Sequence, residues 1–228
     1  VKAYFQDIEA DHKYSRNAIV YGRPSNQKRD QPFEHSSYGA ELQFRSDRSV
    51  GNSLHQISYG LDFSESDNER ERKITNNLTG VTESLKETPD STIQRTGVYI
   101  QDEIAVNEKL DIIAGIRYDN FDLDAESDAA YLANGVGVLE PVGYSESAIS
   151  PKLSAIYKIN PDLSFYGLYA RGFRAPNYVD MNSSFTNVQR RYTTYSNPDL
   201  KPETSDTFEV GLRKYTDKFD WNISGFFS

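Results

Sequence analysis

Apolar and polar side chains alternate along this chain in recurring segments of about ten residues. Residues 36–45 read Ser-Ser-Tyr-Gly-Ala-Glu-Leu-Gln-Phe-Arg, so Tyr38, Ala40, Leu42 and Phe44 share one face of an extended segment. In the same way Ile57, Tyr59, Leu61 and Phe63 alternate with Ser58, Gly60 and Asp62. Leu110, Ile112, Ala114, Ile116 and Tyr118 point one way, and Asp111, Gly115, Arg117 and Asp119 the other. The pattern predicts nine strands, at about 2–11, 36–45, 55–64, 96–106, 110–121, 150–159, 163–173, 206–215 and 219–227. Enrichment in Val, Ile, Tyr and Phe favours strand over helix.

The connectors alternate between short and long. Asn107-Glu108-Lys109, Asn160-Pro161-Asp162 and Thr216-Asp217-Lys218 read as tight turns, and 46–54 as a slightly longer one on the same side. The other side is expected to carry four long polar excursions, at 12–35, 65–95, 122–149 and 174–205. Long structureless loops are uncommon in compact soluble domains, whereas short turns at one rim and long loops at the other are the rule in outer-membrane barrels. Phe44, Tyr157, Phe165, Tyr215 and Phe219 flank the short turns, where an interfacial aromatic girdle would lie. The fold class expected is therefore all-β: an antiparallel up-and-down meander spanning a membrane. Single-chain bacterial barrels mostly have even strand numbers. Nine strands and a last strand that stops after leaving its turn predict a partial barrel, one domain fragment over residues 1–228.

Composition agrees with a sheet that is apolar on one side only. The 228 residues are 37% hydrophobic yet include 16 Tyr and 12 Phe, and the mean hydropathy is −0.69. No run approaches the roughly 18 apolar residues of a spanning helix. The N-terminus lacks the apolar core of a signal peptide. The net charge of −9 argues against a general nucleic-acid binder. With no Cys there is no disulfide framework, thiolate metal site or Cys nucleophile. There is also no Gly-x-Ser-x-Gly, phosphate loop or dinucleotide fingerprint, so no enzyme is expected.

Two segments carry more specific information. Residues 163–176 read Leu-Ser-Phe-Tyr-Gly-Leu-Tyr-Ala-Arg-Gly-Phe-Arg-Ala-Pro, and residues 197–204 read Asn-Pro-Asp-Leu-Lys-Pro-Glu-Thr. Phe173, Arg174, Ala175 and Pro176, then Asn197, Pro198, Asp199 and Leu200, resemble the paired boxes of TonB-dependent outer-membrane receptors. The resemblance is strongest to the haem and haemoglobin receptor branch, and related boxes occur in siderophore receptors. Tyr-Ile-Gln-Asp-Glu and Gly-Ile-Arg-Tyr-Asp within 97–119 are similar to the family's strand pattern. The likeness covers roughly residues 96–228 well and the first 95 weakly.

The resemblance implies about nine central strands of a 22-stranded barrel in the bacterial outer membrane, embedded in outer-membrane lipid. It implies uptake of haem or haem iron from a host haem protein, with a ferric siderophore as the alternative cargo. Haem would be a transported ligand and not an intrinsic cofactor. It also implies an N-terminal plug, absent from this sequence, through which an inner-membrane energy-coupling protein acts. A passive porin, an outer-membrane enzyme and a soluble β-sandwich are the rival readings. The paired boxes argue against the first, the lack of a convergent base and nucleophile against the second, and the short–long connector asymmetry against the third.

Read without the family, the boxes are local devices. Gly172 lets a strand end bend, and Pro176 ends ladder pairing. Asn197-Pro198 and Lys201-Pro202 punctuate the approach to the next strand. Arg171 and Arg174 need not share a face. The boxes either simply anchor a loop base or also hold the loop over a ligand. Members of the haem branch usually carry an axial His between the boxes, but residues 177–196 contain none. Tyr178, Tyr192 and Tyr195 are the candidate ligands there, since tyrosinate can ligate haem iron, and with Arg174 they form the candidate ligand-contact surface over 174–196. His12, His35 and His55 read as solvated, without metal-site spacing. The charge cluster at 64–73 and the acidic run from Asp119 to Asp128 also read as solvated faces.

Overall fold

The computed structural model describes residues 1–20, 23–133, 139–187, 191–216 and 218–228. The chain forms β1 (Lys2–Val20), β2 (Arg23–Val50), β3 (Ser53–Arg70), β4 (Arg72–Asn76), β5 (Thr82–Leu85), β6 (Asp90–Asn107) and β7 (Leu110–Glu126). It continues through α1 (Ala129–Leu132), β8 (Tyr144–Lys158), β9 (Leu163–Arg174), α2 (Tyr178–Asn182), β10 (Phe185–Asn187), β11 (Tyr192–Thr194), β12 (Glu203–Tyr215) and β13 (Asp220–Phe227). The long strands β1, β2, β3, β6, β7, β8, β9, β12 and β13 coincide with the nine expected segments. Each pairs antiparallel with the next long strand in the chain. The result is an up-and-down meander.

Cross-strand register sorts the side chains onto two faces. One carries Leu42, Leu61, Val98 and Tyr118 as successive neighbours, and Ile100, Ile116, Leu153, Tyr169 and Phe208 continue the stripe. Most of these residues are exposed, with Ile116 at 48% and Val98 at 52%, while Leu42 and Tyr169 are half-buried. So broad an apolar surface suits lipid, not water. From Leu110 to Tyr118 the stripe runs roughly 26 Å along the strand, or about 20 Å of bilayer after a typical barrel tilt. The expected girdle residues Phe44, Tyr157, Phe165, Tyr215 and Phe219 are all exposed. Phe44 stacks on Tyr59 with centroids 5.4 Å apart, and Tyr157 is the register partner of Phe165.

The opposite face is polar and knit by side chains. Arg117 reaches across to Asp62 at 2.9 Å and back to Asp119 at 2.7 Å. Tyr166 donates to Glu209 at 2.8 Å. These groups lie over glycines: a Cβ on Gly97 would clash with the Arg117 guanidinium, and one on Gly211 would meet Tyr166 at 2.6 Å.

The structure revises the connectors. Residues 12–35 are not a loop. β1 and β2 stay paired as far as Val20↔Arg23, because strand pairing needs only backbone partners and both faces of this extension can meet water. Apolar alternation, the signal that located the other strands, is therefore lost there. Pro32 has no N–H to give, but its carbonyl accepts Glu71 N–H at 3.2 Å. Likewise 46–54 is no extended turn. Val50 pairs with Ser53, leaving Gly51-Asn52 as a two-residue hairpin with Gly51 at φ 62°. Strand pairing also reaches into the expected excursions 65–95 and 122–149, and β4–β5 and β10–β11 are hairpins within the loops. At the tight turns, Asn107 Oδ1 accepts from Lys109 N–H at 2.9 Å and Asn160 Oδ1 from Asp162 N–H at 3.0 Å. The third turn is closed by Thr216 Oγ1, which accepts Phe219 N–H at 3.0 Å; Asp217 lies outside the described residues.

Candidate functional site

The tightest packing lies at the long-loop end, not in the wall. Phe121 and Leu123 of β7 form a buried cluster with Met181 of α2, and Ile93, Val142, Tyr144, Ala175, Tyr178 and Leu200 pack around it. The two boxes therefore meet: Ala175 from the first and Leu200 from the second cover one apolar core. Their strands are also directly paired, since Arg174 is the register partner of Glu203.

The first box turns inward where the wall parts. Pairing between β8 and β9 stops at Lys152↔Ala170, beside Pro151, which has no N–H to donate. Beyond that point β9 pairs only with β12, through Arg171↔Asp206 to Arg174↔Glu203. Arg171 and Arg174 then part company. Arg171 makes a bidentate pair with Asp206, at 2.9 Å for both contacts. Among the described residues Arg174 reaches only Glu203, at 3.6 Å, with both side chains exposed.

Under the first box is a cavity of about 670 Å³. Phe173, Arg174, Ala175, Pro176, Asn177 and Tyr178 line one side. The other side is the polar face of neighbouring strands: His35 of β2, Ser66 and Asn68 of β3, Ile93 and Arg95 of β6, and Asp119, Asn120 and Phe121 of β7. His35 Nδ1 donates to Asn68 Oδ1 at 2.8 Å, and the imidazole stacks parallel on Phe33, centroids 6.3 Å apart. The Arg95 guanidinium lies over the Phe121 ring, 5.4 Å from its centroid. Asp119 is neutralised by Arg117 Nε at 2.8 Å. Burial pushes the Tyr178 phenol up from its usual value, only partly offset by Arg70, so it is neutral at physiological pH.

Of the residues singled out by sequence, the structure brings Phe173, Arg174, Ala175, Pro176 and Tyr178 to this cavity. Tyr192 instead meets Phe185 edge-on across the β10–β11 hairpin, centroids 5.8 Å apart. Tyr195 is 64% exposed. Neither lines the cavity. Asn197, Pro198 and Asp199 form the foot of the loop, where Asn197 O accepts Leu200 N–H at 3.3 Å.

His35, Asn68, Arg95 and Phe121 were not found by sequence reasoning. His35 was expected in or beside a solvated loop, yet it belongs to a strand. Alternation alone puts all four on the polar face, but only the interstrand register sets His35 beside Asn68 and Arg95 beside Phe121, two pairs that line one cavity.

The charged stretches expected to be merely solvated are largely paired. Glu65 accepts from Tyr38 at 2.6 Å and from Gln94 at 2.7 Å. Lys86, nearly buried, lies 2.6 Å from Asp90, 2.8 Å from Asp128 and 3.6 Å from Glu69. A second cavity, about 560 Å³, lies near the short-turn rim, where His55 Nδ1 is 2.7 Å from Asp102. Among the described residues no group of His, Cys, Asp and Glu is placed to hold a metal ion, and no helix is long and apolar enough to cross a membrane, which says nothing of a barrel.

Comparison with known proteins fits this architecture. A hemin receptor of Yersinia enterocolitica is 32% identical over 143 residues, covering 58% of this chain and 18% of the receptor. A probable TonB-dependent siderophore receptor, PirA, of Acinetobacter baumannii is 25% identical over 138 residues, covering 56% of this chain and 16% of the receptor. The chain thus matches less than a fifth of the length of either relative. Among solved structures, the Serratia marcescens hemophore receptor HasR, in complex with its hemophore HasA and heme, superposes with a TM-score of 0.65 at 17% identity. That likeness, over 98% of this chain and 39% of HasR, concerns the fold alone. The family described as TonB dependent receptor-like, beta-barrel matches residues 1–228 throughout. The chain belongs to that family, whose members are receptors of the outer membrane and not enzymes.

Proposed function

We propose that this chain is a stretch of receptor wall, about nine strands of a larger barrel, with the outer loops that capture an iron-bearing ligand for energy-coupled uptake. The observation that carries the reading is the cavity on the lumen side under the first box, built by strands and loop together. Its aromatic and cationic lining suits an apolar ligand with anionic groups. The apolar stripe of the wall contacts outer-membrane lipid. Coupling to an inner-membrane energy-transducing protein would run through a plug outside this sequence.

The cargo favoured is haem, free or drawn from a haem protein. The hemin-receptor relative and the two boxes support it. The siderophore-receptor relative supports a ferric siderophore as the second reading. The test is titration of the complete receptor in detergent with haem and, separately, with a panel of ferric siderophores. Saturable Soret changes at micromolar haem are expected. No haem response together with tight binding of a siderophore would replace the first reading by the second.

Tyr178 is the proposed loop residue in contact with the ligand, and Arg174 the rim cation that meets it. Tyr192 and Tyr195 stand outside the cavity. Changing either to Phe is expected to leave the Soret response unchanged.

A further inference from the structure

The cavity under the first box has a donor set that is not used up within the protein. Asn68 is 9% exposed, and its Nδ2 is buried without a hydrogen-bond partner. Leaving such a donor unpaired is costly, typically about 1–3 kcal/mol, and calls for a missing acceptor. His35 explains why the amide stands this way round. Its Nδ1–H donates to Asn68 Oδ1 at 2.8 Å, which commits the oxygen to the imidazole and leaves Nδ2 over. Arg95 supplies the charge. Its guanidinium face rests on Phe121, and among the described residues no carboxylate forms an ion pair with it. Its N–H edges stay available for a bidentate oxyanion. The one acidic residue in the lining, Asp119, is occupied by Arg117. Phe121, Phe173, Ala175 and Pro176 supply an apolar surface beside the polar Ser66, Asn120 and Asn177.

We propose that this cavity selects ligands by carboxylates on an apolar body, one seated against Arg95, with Asn68 offering a second donor further along the wall and His35 serving as the positioning residue for the amide. The inference rests on the uptake reading above and names the ligand group that the site recognises. Asn68 Nδ2 sits just beneath the cavity surface, so engaging it takes a small side-chain adjustment. Arg95 needs none. The arrangement sets unpaired donors beside apolar and aromatic surface, and so discriminates against the same body with its acid groups masked.

The experiment uses the complete receptor in detergent, with iron protoporphyrin IX and its dimethyl ester as probes. The ester keeps ring and iron but has no carboxylates. Wild type is expected to bind the free acid at least about tenfold more tightly, the size of a hydrogen bond to a charged group. Arg95→Gln and Asn68→Leu should each weaken the acid by about tenfold and leave the ester unchanged, while Arg95→Lys retains part of the preference. His35→Ala should lower the acid-to-ester ratio without abolishing binding.

Equal losses for acid and ester, or no loss in Arg95→Gln, would overturn the proposal and leave the uptake reading intact. If wild type binds neither porphyrin, the haem reading fails. The same variants are then titrated with a ferric carboxylate siderophore and a ferric trishydroxamate. A loss confined to the carboxylate ligand sustains the proposal, and an equal loss or no binding of either overturns it. Heat-modifiable gel mobility identifies folded variants, and Arg95→Lys stands in if Arg95→Gln fails to fold.

Discussion

Asn182 is the single side chain on which the outer loops depend most. It is 1% exposed and lies at the end of α2, beyond the first box. Its Oδ1 accepts Val142 N–H at 2.9 Å, and its Nδ2 donates to Val142 O at 3.1 Å. Its backbone carbonyl accepts the Tyr131 hydroxyl at 2.8 Å, from a ring with no exposed surface. One residue thus ties the loop after β9 to both ends of the loop between β7 and β8. Asn182→Ala strands the N–H and the carbonyl of Val142 and opens a small void. An unpaired buried polar group costs about 1–3 kcal/mol. Val142 is only half-buried, so the lower half of that range applies to each group, giving about 2–4 kcal/mol in all. At 1.4 kcal/mol per decade this is a change of roughly thirty- to seven-hundredfold in the local opening equilibrium. Hydrogen exchange read by mass spectrometry on the folded receptor measures it. Peptides over 127–133 and 139–144 should lose protection by that factor, while β6 and β7 within the membrane keep theirs. Asn182→Asp, which keeps the acceptor and loses the donor, should fall between. Protection unchanged within twofold in Asn182→Ala, or a loss spread evenly over the wall strands, would refute the claim that the loops are tied at this residue.

Other expectations follow from the same geometry. Burial alone would lower the Lys86 pKa, but hydrogen bonds to Asp128 and Asp90 outweigh it and raise the pKa above 10.5. Burial alone would raise that of Asp128, but the bonds from Lys86 and Tyr131 N–H hold it below 3.8. The Asp128 contribution is therefore present above its unfolded value and lost as pH falls through the folded one. That of Lys86 is present below its unfolded value and lost only as pH rises beyond 10.5. Exchange protection at 127–133 should hold flat from about pH 5 to 10 and collapse below about pH 4, and a midpoint near neutrality would contradict this. Gly60→Ala places a Cβ 2.5 Å from the backbone oxygen of Leu42. With no side chain to yield, it should destabilise the barrel by about 1–3 kcal/mol, read from urea unfolding in vesicles. Ile116→Arg on the lipid stripe should cost about 2–4 kcal/mol in the same assay; a neutral result would mean that this face does not meet lipid. The isolated chain, with open edge strands and an apolar outer face, should self-associate in plain buffer and need detergent, as sedimentation would report.

How much was legible in the sequence depended on what each residue faces. Leu110 to Tyr118 could be read because lipid on one side and the lumen on the other force a strict two-residue period. Residues 12–35 could not, because there both faces see water and no period is imposed, although the backbone ladder runs on. The turn at Gly51-Asn52 was lost in a polar stretch for the same reason: Ser46, Asp47, Arg48 and Ser49 look like a connector yet pair with Ile57, Gln56, His55 and Leu54. The boxes were legible as motifs, and Arg174 and Tyr178 were placed at the cavity. Their opposite wall was not, since His35, Asn68, Arg95 and Phe121 are spread over 87 positions and are joined only by register: His35↔Asn68 and Arg95↔Phe121. The acidic run failed as a reading because Asp128 is the N-cap of α1, with Tyr131 N–H at 2.8 Å, as well as a partner of a lysine more than forty positions away.

These contacts also bear on how the loop between the boxes can respond to a ligand. Its two feet are fixed, by Arg174↔Glu203 pairing and by Ala175 and Leu200 on the Phe121–Leu123–Met181 core. Its shoulder is fixed as well, through Asn182 to Val142 and through Ser184 N–H to Glu87 O at 3.0 Å. Glu87 belongs to the loop before β6, and that loop bonds in turn to α1 through Lys86 N–H to Ala130 O at 3.2 Å. A ligand that displaces Tyr178 or Pro176 from the cavity wall therefore pulls on α2, and α2 cannot shift without loading the other two loops. Among the described residues, Phe185–Asn187 and Tyr192–Thr194 are linked by their own short ladder and take no part in these bonds. Ligand binding should accordingly change exchange in the three tied loops together, with the hairpin responding separately, and a change confined to 175–178 would show that the ties do not transmit.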